Sequence, residues 1–386
     1  MFGMTDKWSE TKKVMNPLFS TNRMRHMVKP ISDCTHQLIE HLKVKEGESH
    51  NVLDIMSKSG NDMFARTFFG VTCNSHVNKD NDFYVMARKA AALEHLHGSK
   101  FWLYYFCPIL VKVLGLQVFP PQVCTFFQSI ISEGAKLCNT DGKICLNISQ
   151  LLIEMNKRNL ERSVNNGRVS EEDVIINSIM LSIAGIGSVG YTLTNLCYEL
   201  AQNPRIQENV CNEIREAMAQ CNNELTYESL DSLKCLESAM METLRLYPPS
   251  GVIDRRCEKS YLIEPINTRE KPLYIEQGCG IWILHQAMQR DPKYFPDPDK
   301  FNPDRFRTVN ALDSKAFLPF GAGPRKCIGM RYGIFQIKCV LVHLLNIYRI
   351  KIPTNLKHKG DGKRETNLQF EQRTRYLCPK LLSQTL

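Results

Sequence analysis

The stretch Phe320-Gly321-Ala322-Gly323-Pro324-Arg325-Lys326-Cys327-Ile328-Gly329 decides the fold. Its three glycines and its proline allow a tight backbone bend that can approach a flat ligand without Cβ clashes. Cys327 stands where an apolar-periodic segment predicts that a helix begins. The first amides of that helix, together with Arg325 and Lys326, favour the thiolate form of its side chain. A thiolate held by backbone donors is what a haem iron requires of an axial ligand.

The other fourteen cysteines of the chain are best explained as small buried hydrophobic residues. Cys327 is different, because Phe, two Gly, Arg, Cys and a final Gly at these spacings would match by chance with a frequency on the order of one in 10⁵. The stretch resembles the haem-binding loop of cytochromes P450. The resemblance implies that Cys327 is the proximal thiolate ligand of heme b (iron protoporphyrin IX), that Arg325 pairs with a haem propionate and that Phe320 packs against the ligand loop. Gly321, Gly323 and Gly329 are the other expected cofactor-binding residues of the haem-ligand loop 320–329.

The composition is that of a globular protein, since 43% of the 386 residues are hydrophobic and 23% are charged. The cysteines form an odd, scattered set without zinc-type or disulfide-type spacing, which indicates reduced thiols in a protein that faces the cytosol. A formal charge of +9 suits nucleic acid, anionic lipid or an acidic protein partner. No nucleic-acid module and no basic groove with interleaved aromatic residues is found, so nucleic-acid binding is excluded. The sequence also shows no signal peptide and no apolar run long enough to span a bilayer.

A helical pattern begins within a few residues of Met1 and places Trp8 and Lys12 on one face. Without the other motifs Trp8 would be a core residue, but the segment is similar to the third lettered helix of cytochromes P450. In that family a Trp and a later Arg contact a haem propionate, and Lys12 here keeps the charge without the bidentate fork. On this alignment the chain lacks the family's membrane anchor, hinge, first strands and the loop that roofs the substrate pocket. The expected fold is mainly α with small β-sheets, a single cytochrome P450 domain over residues 1–386 without its N-terminal part.

The longest helical region runs from Ser170 to Ala219 and opens with a capping serine followed by acidic residues. It contains the stretch Ala184-Gly185-Ile186-Gly187-Ser188-Val189-Gly190, in which each glycine costs about 1 kcal/mol in a helix interior. Close helix packing would offset that cost. We favour a helix that passes over the haem and opens locally to make room for dioxygen and water.

The family's oxygen-activation motif falls in this helix, and its usual form is Ala-Gly, any residue, an acid and then Thr. Ala184 and Gly185 match, and Ser188 retains the hydroxyl at the threonine position. Gly187 stands at the position of the acid, whose carboxylate relays protons in the family, so a water chain has to take over that relay. The resemblance therefore makes these four residues the catalytic set and predicts slow or uncoupled turnover.

Glu242 and Arg245 lie three residues apart on one face of a predicted helix. Such a pair is common on solvated helices, but followed by Leu-Tyr-Pro-Pro it resembles the invariant pair of the P450 family. The resemblance adds Arg305, from Asn302-Pro303-Asp304-Arg305-Phe306, as the third member. We expect a buried network of these three side chains that holds the cysteine loop, in which the loss of one member costs about 3–5 kcal/mol.

The residues after the Pro-Pro pair line the substrate pocket in the family, which makes Val252 and Ile253 expected pocket walls. An Arg at the position of Arg255 meets a haem propionate in the family. The stretch from Gln286 to Pro298 matches the family's Asp-Pro and Phe-x-Asp-Pro pattern, with Gln289 where His is usual. Alternating short runs in this part of the chain predict three strands, at Tyr261–Ile263, Leu273–Ile275 and 280–284.

These motifs together imply a haem-thiolate monooxygenase that inserts one oxygen atom from O₂ into a hydrophobic small molecule, a xenobiotic or an endogenous lipid. Electrons would come from NADPH through NADPH–cytochrome P450 reductase, with cytochrome b5 as a further partner. The expected localisation is the membrane of the endoplasmic reticulum, on its cytosolic face. The sequences of the motifs are most similar to those of insect microsomal members of the family's third clan, in particular its sixth and ninth families.

Two other functions stay open. A haem-thiolate isomerase or dehydratase would act on a peroxide substrate without a reductase, and the missing acid at Gly187 keeps this alternative open. A catalytically defective haem-binding fragment is the other, because the alignment lacks the N-terminal region.

An electropositive docking surface for the acidic reductase is expected on the proximal side of the haem. A scattered solvated face would explain the same charges, so both interpretations stay open. The members of the docking surface would be Lys12, Lys13, Arg23, Arg25 and Lys326.

Overall fold

The computed structural model describes residues 7–91, 119–140, 148–151, 170–307, 314–353 and 367–373, together with positions 110, 113, 114 and 153. These residues form two compact units. The smaller unit is Ser238–Cys327, and the larger unit comprises the described residues of Gly3–Glu237 and Ile328–Leu386. That residues 1–386 form one cytochrome P450 domain stays a prediction.

Helices make up most of the described chain, as predicted. In chain order they are α1 Lys7–Met15, α2 Thr21–Val44, α3 Val52–Phe64, α4 Asp82–Ala91, α5 Pro121–Thr140, α6 Glu171–Gln202, α7 Pro204–Gln220, α8 Tyr227–Asp231, α9 Lys234–Leu246, α10 His285–Met288 and α11 Met330–Ile347. Short 3₁₀ turns lie at Asn16–Phe19, Pro303–Phe306 and Gly323–Arg325, and a π-helical turn at Ala65–Phe69 extends α3.

The strands are short and form three small antiparallel sheets. They are β1 Ser49–Asn51, β2 Ile253–Arg256, β3 Tyr261–Ile263, β4 Leu273–Ile275, β5 Gly280–Ile283, β6 Tyr348–Lys351 and β7 Asn367–Gln372. In the larger unit the strand order is β1-β7-β6, and in the smaller unit β2 pairs with β5 and β3 with β4. Ile253 lies opposite Ile283, and Tyr261 lies opposite Ile275. The predicted strands are confirmed, with the third one residue shorter, and so is the fold class, mainly α with small β-sheets.

The predicted helical region from Ser170 to Ala219 consists of two helices. Ser170 caps α6 as predicted, because its Oγ accepts from the N–H of Asp173 at 3.1 Å while the Asp173 carboxylate accepts from the N–H of Ser170 at 2.8 Å. The helix ends before Asn203, and Pro204 starts α7. A proline without an N–H suits the first turn of a helix and interrupts an interior, so the prediction of one continuous region is corrected.

The core of the larger unit is organised around α11, which is buried along most of its length. A helix that is apolar on all sides belongs in a protein interior. Its one buried cation, Lys338, donates to the carbonyl of Leu230 at 3.1 Å and to the carboxylate of Glu237 at 2.8 Å. Burial lowers the pKa of Lys338, and Glu237 opposes that shift. The ion pair therefore satisfies the lysine charge inside the core.

By length and composition, α6 is the one helix in the described part of the chain that could cross a membrane. A core helix passes the same test, and 39% of its most apolar 18-residue stretch is buried inside the fold. The expectation that no apolar run reaches bilayer length is wrong for this segment, because its charged residues lie in its first turn and at Glu199 near its end, with none in between.

Candidate functional site

The loop before Cys327 is a tight bend closed by backbone hydrogen bonds within the smaller unit. Gly321 and Gly323 have φ angles of +69° and +71°, in the left-handed region that favours glycine. The N–H of Gly321 donates to the carbonyl of Leu318 at 3.1 Å, and the N–H of Cys327 donates to the carbonyl of Phe320 at 2.9 Å. The bend therefore requires both glycines and brings the backbone of Cys327 back to that of Phe320.

The thiol of Cys327 is exposed, and the only other exposed cysteine that the structure describes is Cys279. Burial raises the pKa of the Cys34 and Cys197 thiols to about 12, so both stay protonated at neutral pH. Because the thiolate and not the thiol binds metals, such buried cysteines are poor candidates for an iron ligand. Cys327 is accessible to a flat ligand.

The helix after the loop begins later than the sequence predicts. Gly329 is the N-cap of α11, which starts at Met330, three residues after Cys327. Glycine is accepted at an N-cap because the position has non-helical dihedral angles. A Cβ on Gly329 would lie 3.6 Å from the ring of Phe19, which is an ordinary contact. The prediction that Cys327 stands at the helix start is therefore wrong, and stabilisation of its thiolate by the helix amides is weaker than expected, because that effect falls off within one turn.

Two guanidinium groups lie beside the bend. Arg255, in β2, donates from Nη1 to the carbonyl of Asp254 at 2.7 Å, and its Nη2 lies 4.0 Å from the position of a Cβ on Gly321. Burial lowers the pKa of the half-buried Arg325, Glu258 raises it, and the charge of Arg255 lowers it again. Two like charges repel each other, and anionic groups bound beside them relieve that repulsion. The pair suits a ligand with carboxylate groups, such as the propionates of a haem.

Glu242 and Arg245 are fully buried in α9 and form a bidentate ion pair. Arg245 donates from Nε to Oε2 of Glu242 at 2.7 Å and from Nη2 to Oε1 at 2.9 Å. Arg305 donates from Nε to the same Oε1 at 3.3 Å, so one carboxylate serves two guanidiniums. The structure brings the three side chains together in the smaller unit.

Three residues without an assigned role in the sequence analysis complete this network. The N–H of Asn302 donates to Oε1 of Glu242 at 2.9 Å, and the carbonyl of Gln289 accepts from Nη1 of Arg245 at 2.9 Å. The guanidinium carbon of Arg245 lies 5.4 Å from the ring centre of the buried Phe295. Gln289 and Phe295 belong to the segment that carries the Asp-Pro and Phe-x-Asp-Pro pattern, and Asn302 begins the Asn-Pro-Asp-Arg-Phe stretch. These two motifs are the signals that could have identified them.

In the larger unit, α6 presents an exposed strip of small residues. Ala184 and Gly187 are exposed, and Ser188 is half-buried. A Cβ on Gly187 would meet no atom within 4 Å, so within the described chain the position of the usual acid is open. Ser188 donates from Oγ to the carbonyl of Ala184 at 2.5 Å. Its hydroxyl hydrogen is used inside the helix, and its lone pairs stay available to an external donor.

The glycines of α6 have two different roles. A Cβ on Gly185 would lie 2.8 Å from the ring of Phe64, and one on Gly190 would lie 3.1 Å from Cα of Ser57. Both glycines allow α6 to pack closely on α3, the alternative that the sequence analysis ranked second. α6 is continuous from end to end, so the prediction of a local opening is wrong. Among the three glycines, Gly187 alone has no packing contact that requires it.

The remaining predicted site residues lie in separate elements. Val252 is 36% exposed, and Ile253 is a half-buried residue of β2. Lys12 is half-buried in α1. Trp8 lies in the same helix, and its side chain is outside the part of the chain that the structure describes.

One residue of the docking surface predicted for the reductase is not on the surface. Arg23 is buried, with 7% exposure, and cannot contact a partner protein. Arg25 and Lys13 are exposed, but Arg25 lies 2.7 Å from the carboxylate of Glu228 and Lys13 lies 2.8 Å from that of Glu10. Ion pairing reduces the positive potential at these positions, which favours the alternative of a scattered solvated face.

An exposed cysteine at the end of a closed glycine bend, beside paired guanidiniums, is typical of haem-thiolate proteins. The family model described as Cytochrome P450 matches residues 1–377. The chain is 31% identical over 390 residues to cytochrome P450 9e2 of Blattella germanica, and the alignment covers 92% of this chain and 72% of that protein. It is 28% identical over 358 residues to probable cytochrome P450 9h1 of Drosophila melanogaster, with 89% and 69% covered. It is 28% identical over 349 residues to cytochrome P450 6j1 of Blattella germanica, with 89% and 67% covered.

The chain belongs to the cytochrome P450 family. It is therefore a haem-thiolate monooxygenase with heme b as its cofactor, and its relatives are insect proteins, as the resemblance predicts. The residues present fit this group. Within the smaller unit the thiol of Cys327 is accessible, and Arg255 and Arg325 offer positive charge to two carboxylates.

Proposed function

We propose that the chain oxidises a hydrophobic small molecule with O₂ and with electrons that NADPH–cytochrome P450 reductase delivers from NADPH. The observation that carries the proposal is the exposed thiol of Cys327 at the end of a hydrogen-bonded glycine bend, beside Arg255 and Arg325. When bound, heme b supplies the oxygen-insertion chemistry.

The smaller unit supplies the proposed ligands of heme b. The sulfur of Cys327 binds the iron, and the 2.9 Å hydrogen bond from its N–H to Phe320 limits the positions that the sulfur can take. Arg255 and Arg325 bind the propionates, which removes their mutual repulsion. The buried pair of Glu242 and Arg245 keeps the segments around the bend in register, since a buried ion pair is costly to break.

α6 supplies the groups proposed to handle protons. The lone pairs of Ser188 accept a hydrogen bond from water, because its own hydrogen is bound to Ala184. Gly187 contributes no carboxylate, so protons reach Ser188 from solvent without a relay by a side chain. Slow proton delivery diverts electrons into hydrogen peroxide, and we expect a larger share of peroxide than in a relative that carries the acid.

The proposed substrate is hydrophobic because the predicted pocket walls are apolar. Val252 presents 36% of its surface and Ile253 is half-buried at the start of β2. Val252→Phe should narrow this region and shift the ratio of oxidation products. A product ratio equal to that of the wild type would show that Val252 does not line the substrate pocket.

A second function, isomerisation or dehydration of a peroxide substrate without a reductase, is favoured by one observation. The open position at Gly187 lacks the carboxylate that a reductase-driven cycle uses to accept protons from water. Product formation that needs NADPH and the reductase supports the monooxygenase. Conversion of an organic hydroperoxide in the absence of both supports the isomerase.

The decisive experiment is the reduced carbon monoxide difference spectrum of the full chain and two serine variants. The wild type and Cys279→Ser should show the thiolate-type band, and Cys327→Ser should lose it. Cys279 is the matched control, because it is an exposed cysteine of the same unit. A thiolate-type band that survives Cys327→Ser would overturn the assignment of the iron ligand.

We also propose that the protein works at the cytosolic face of the endoplasmic reticulum membrane, with cytochrome b5 as a second electron donor. Support for the membrane contact comes from the exposed hairpin of β3 and β4, in which Tyr261, Ile266 and Tyr274 are 65%, 91% and 61% exposed. Aromatic and aliphatic side chains of this kind favour a membrane interface. Ile266→Glu should weaken flotation with phosphatidylcholine vesicles, whereas Val77→Glu, at another exposed apolar residue, should not. Equal flotation of both variants would contradict the hairpin contact.

A further inference from the structure

Gln289 is a fully buried amide in the smaller unit, directly after α10. Its Nε2 donates to the carbonyls of Leu244 at 3.2 Å and Arg245 at 3.0 Å, and its Oε1 accepts from the N–H of Leu318 at 3.0 Å. Both polar atoms of the side chain are therefore satisfied. A buried amide with full satisfaction specifies the relative position of the groups that it binds.

These partners belong to segments that are far apart in the sequence. Leu244 and Arg245 lie in the last turn of α9, where carbonyls have no partner within the helix. Leu318 lies at the foot of the glycine bend, because its carbonyl accepts from the N–H of Gly321 at 3.1 Å. Gln289 thus joins the end of α9 to the residue from which the bend of Cys327 starts.

The chemistry of position 289 matches a glutamine. An amide offers two N–H donors for the two carbonyls and one oxygen for the N–H of Leu318. A carboxylate would place negative oxygens against two carbonyls. A neutral imidazole offers one donor and one acceptor, and a protonated imidazole has no acceptor for Leu318. A leucine offers neither.

We propose that Gln289 is a positioning residue for Cys327. It acts through Leu318, whose place sets the foot of the bend, and because an amide does not titrate, it holds the bend equally at any pH near neutrality. The inference rests on the proposed role of Cys327 as the iron ligand. The family resemblance places a histidine, which can titrate, at this position, and this chain carries an amide there instead.

The surroundings of position 289 determine how an introduced imidazole would titrate. Burial disfavours its charged form, and the nearby charges are more positive than negative, so its pKa should lie below the usual value near 6.5. The imidazole of Gln289→His should therefore stay neutral at every pH near neutrality, with one ring nitrogen able to accept from the N–H of Leu318. The charged and titratable groups on the surrounding segments are Glu242, Arg245, His285, Arg290, Asp299 and Arg305.

The experiment uses the full chain with Gln289→His, Gln289→Leu and the control Gln286→His, which alters an exposed glutamine of α10. The first readout is the thiolate-type fraction of the reduced carbon monoxide spectrum between pH 5.5 and 8. The second is hydrogen exchange at the amide of Leu318 without haem, corrected for the intrinsic effect of pH. This second readout follows the hydrogen bond itself and does not depend on activity.

We expect the thiolate-type fraction of Gln289→His to match that of the wild type and Gln286→His, because a neutral imidazole keeps an acceptor for Leu318, and that of Gln289→Leu to be several-fold lower. Exchange at Leu318 should be about tenfold faster in Gln289→Leu, as expected for the loss of one buried hydrogen bond. A thiolate-type fraction in Gln289→Leu equal to that of the wild type, or unchanged exchange at Leu318 in Gln289→Leu, overturns the proposal. A wild type without the thiolate-type band overturns the role of Cys327, and the exchange readout then still decides whether Gln289 holds the foot of the bend.

Discussion

Replacement of Glu242 by leucine should destabilise the protein strongly, because it leaves two guanidiniums without their shared carboxylate. The carboxylate is fully buried and accepts two hydrogen bonds from Arg245, one from the N–H of Asn302 and one from Arg305. Removal of one partner of a buried ion pair costs about 3–5 kcal/mol. Natural domains are stable by about 5–15 kcal/mol, so this single change should remove a large share of the free energy of unfolding.

A double-mutant cycle separates the ion pair from the packing of its side chains. Arg245→Leu should cost a similar free energy, and the combined variant should cost less than the sum, because the second change removes the charge that the first leaves unpaired. We expect a coupling free energy of about 2 kcal/mol. The matched control is the exposed pair Asp304 and Arg307, which has the same three-residue spacing in the same unit at 3.0 Å. Its coupling should stay below about 1 kcal/mol.

The assay is urea unfolding of the purified full chain at pH 7.5, followed by far-ultraviolet circular dichroism and, in the loaded protein, by the haem absorbance. The midpoints of Glu242→Leu and Arg245→Leu should lie well below that of the wild type, and the two probes should shift together. Strictly additive effects of the two single changes, or a coupling no larger than that of the exposed control pair, would refute the argument from burial.

Three further predictions concern α6 and the core. Gly185→Ala should destabilise the protein by about 1–3 kcal/mol, because its methyl group would lie 2.8 Å from the ring of Phe64. Gly187→Ala should stabilise it by about 0.5–1 kcal/mol, because its methyl group would meet no atom within 4 Å. Thermal unfolding of both variants checks these opposite effects. Gly187→Glu should lower the peroxide released per molecule of product, because the open position accepts a carboxylate that can relay protons, and an unchanged ratio would contradict that role. Burial lowers the pKa of His343 to about 3 in the folded chain, below the usual 6.5. The folded state therefore binds fewer protons than the unfolded state, so this residue should reduce stability by roughly 1.4 kcal/mol per pH unit as the pH falls from about 6.5 towards 3. Urea unfolding at successive pH values should show that contribution lost in His343→Gln.

Features with a local cause were predictable from the sequence. The capping box at Ser170 and the alternating runs of β3 and β4 depend on neighbouring residues alone, and the structure shows them at the predicted positions. The break before Pro204 was equally local, because proline cannot continue a helix from its interior. Apolar periodicity alone does not show this break, whereas the proline does.

Features with a distant cause were not predictable. Gly185 and Gly190 are explained by Phe64 and Ser57, more than a hundred residues earlier in the chain, and no local signal names those partners. The burial of Arg23 has the same origin, since charge alone gives no measure of packing. The role of Gln289 depends on Leu318, so one sequence shows only that the residue departs from the family pattern.

Of the cysteines that the structure describes, Cys279 and Cys327 are the two that are exposed rather than partly or fully buried, and this pair can report how much of the protein carries its cofactor. An alkylating reagent such as iodoacetamide reacts with accessible thiolates and spares buried, protonated thiols. Haem occupancy should shield Cys327 alone, whereas Cys279 should label to the same extent throughout. The ratio of the two alkylated peptides in a mass spectrum would then report the loaded fraction of a sample without a purified standard.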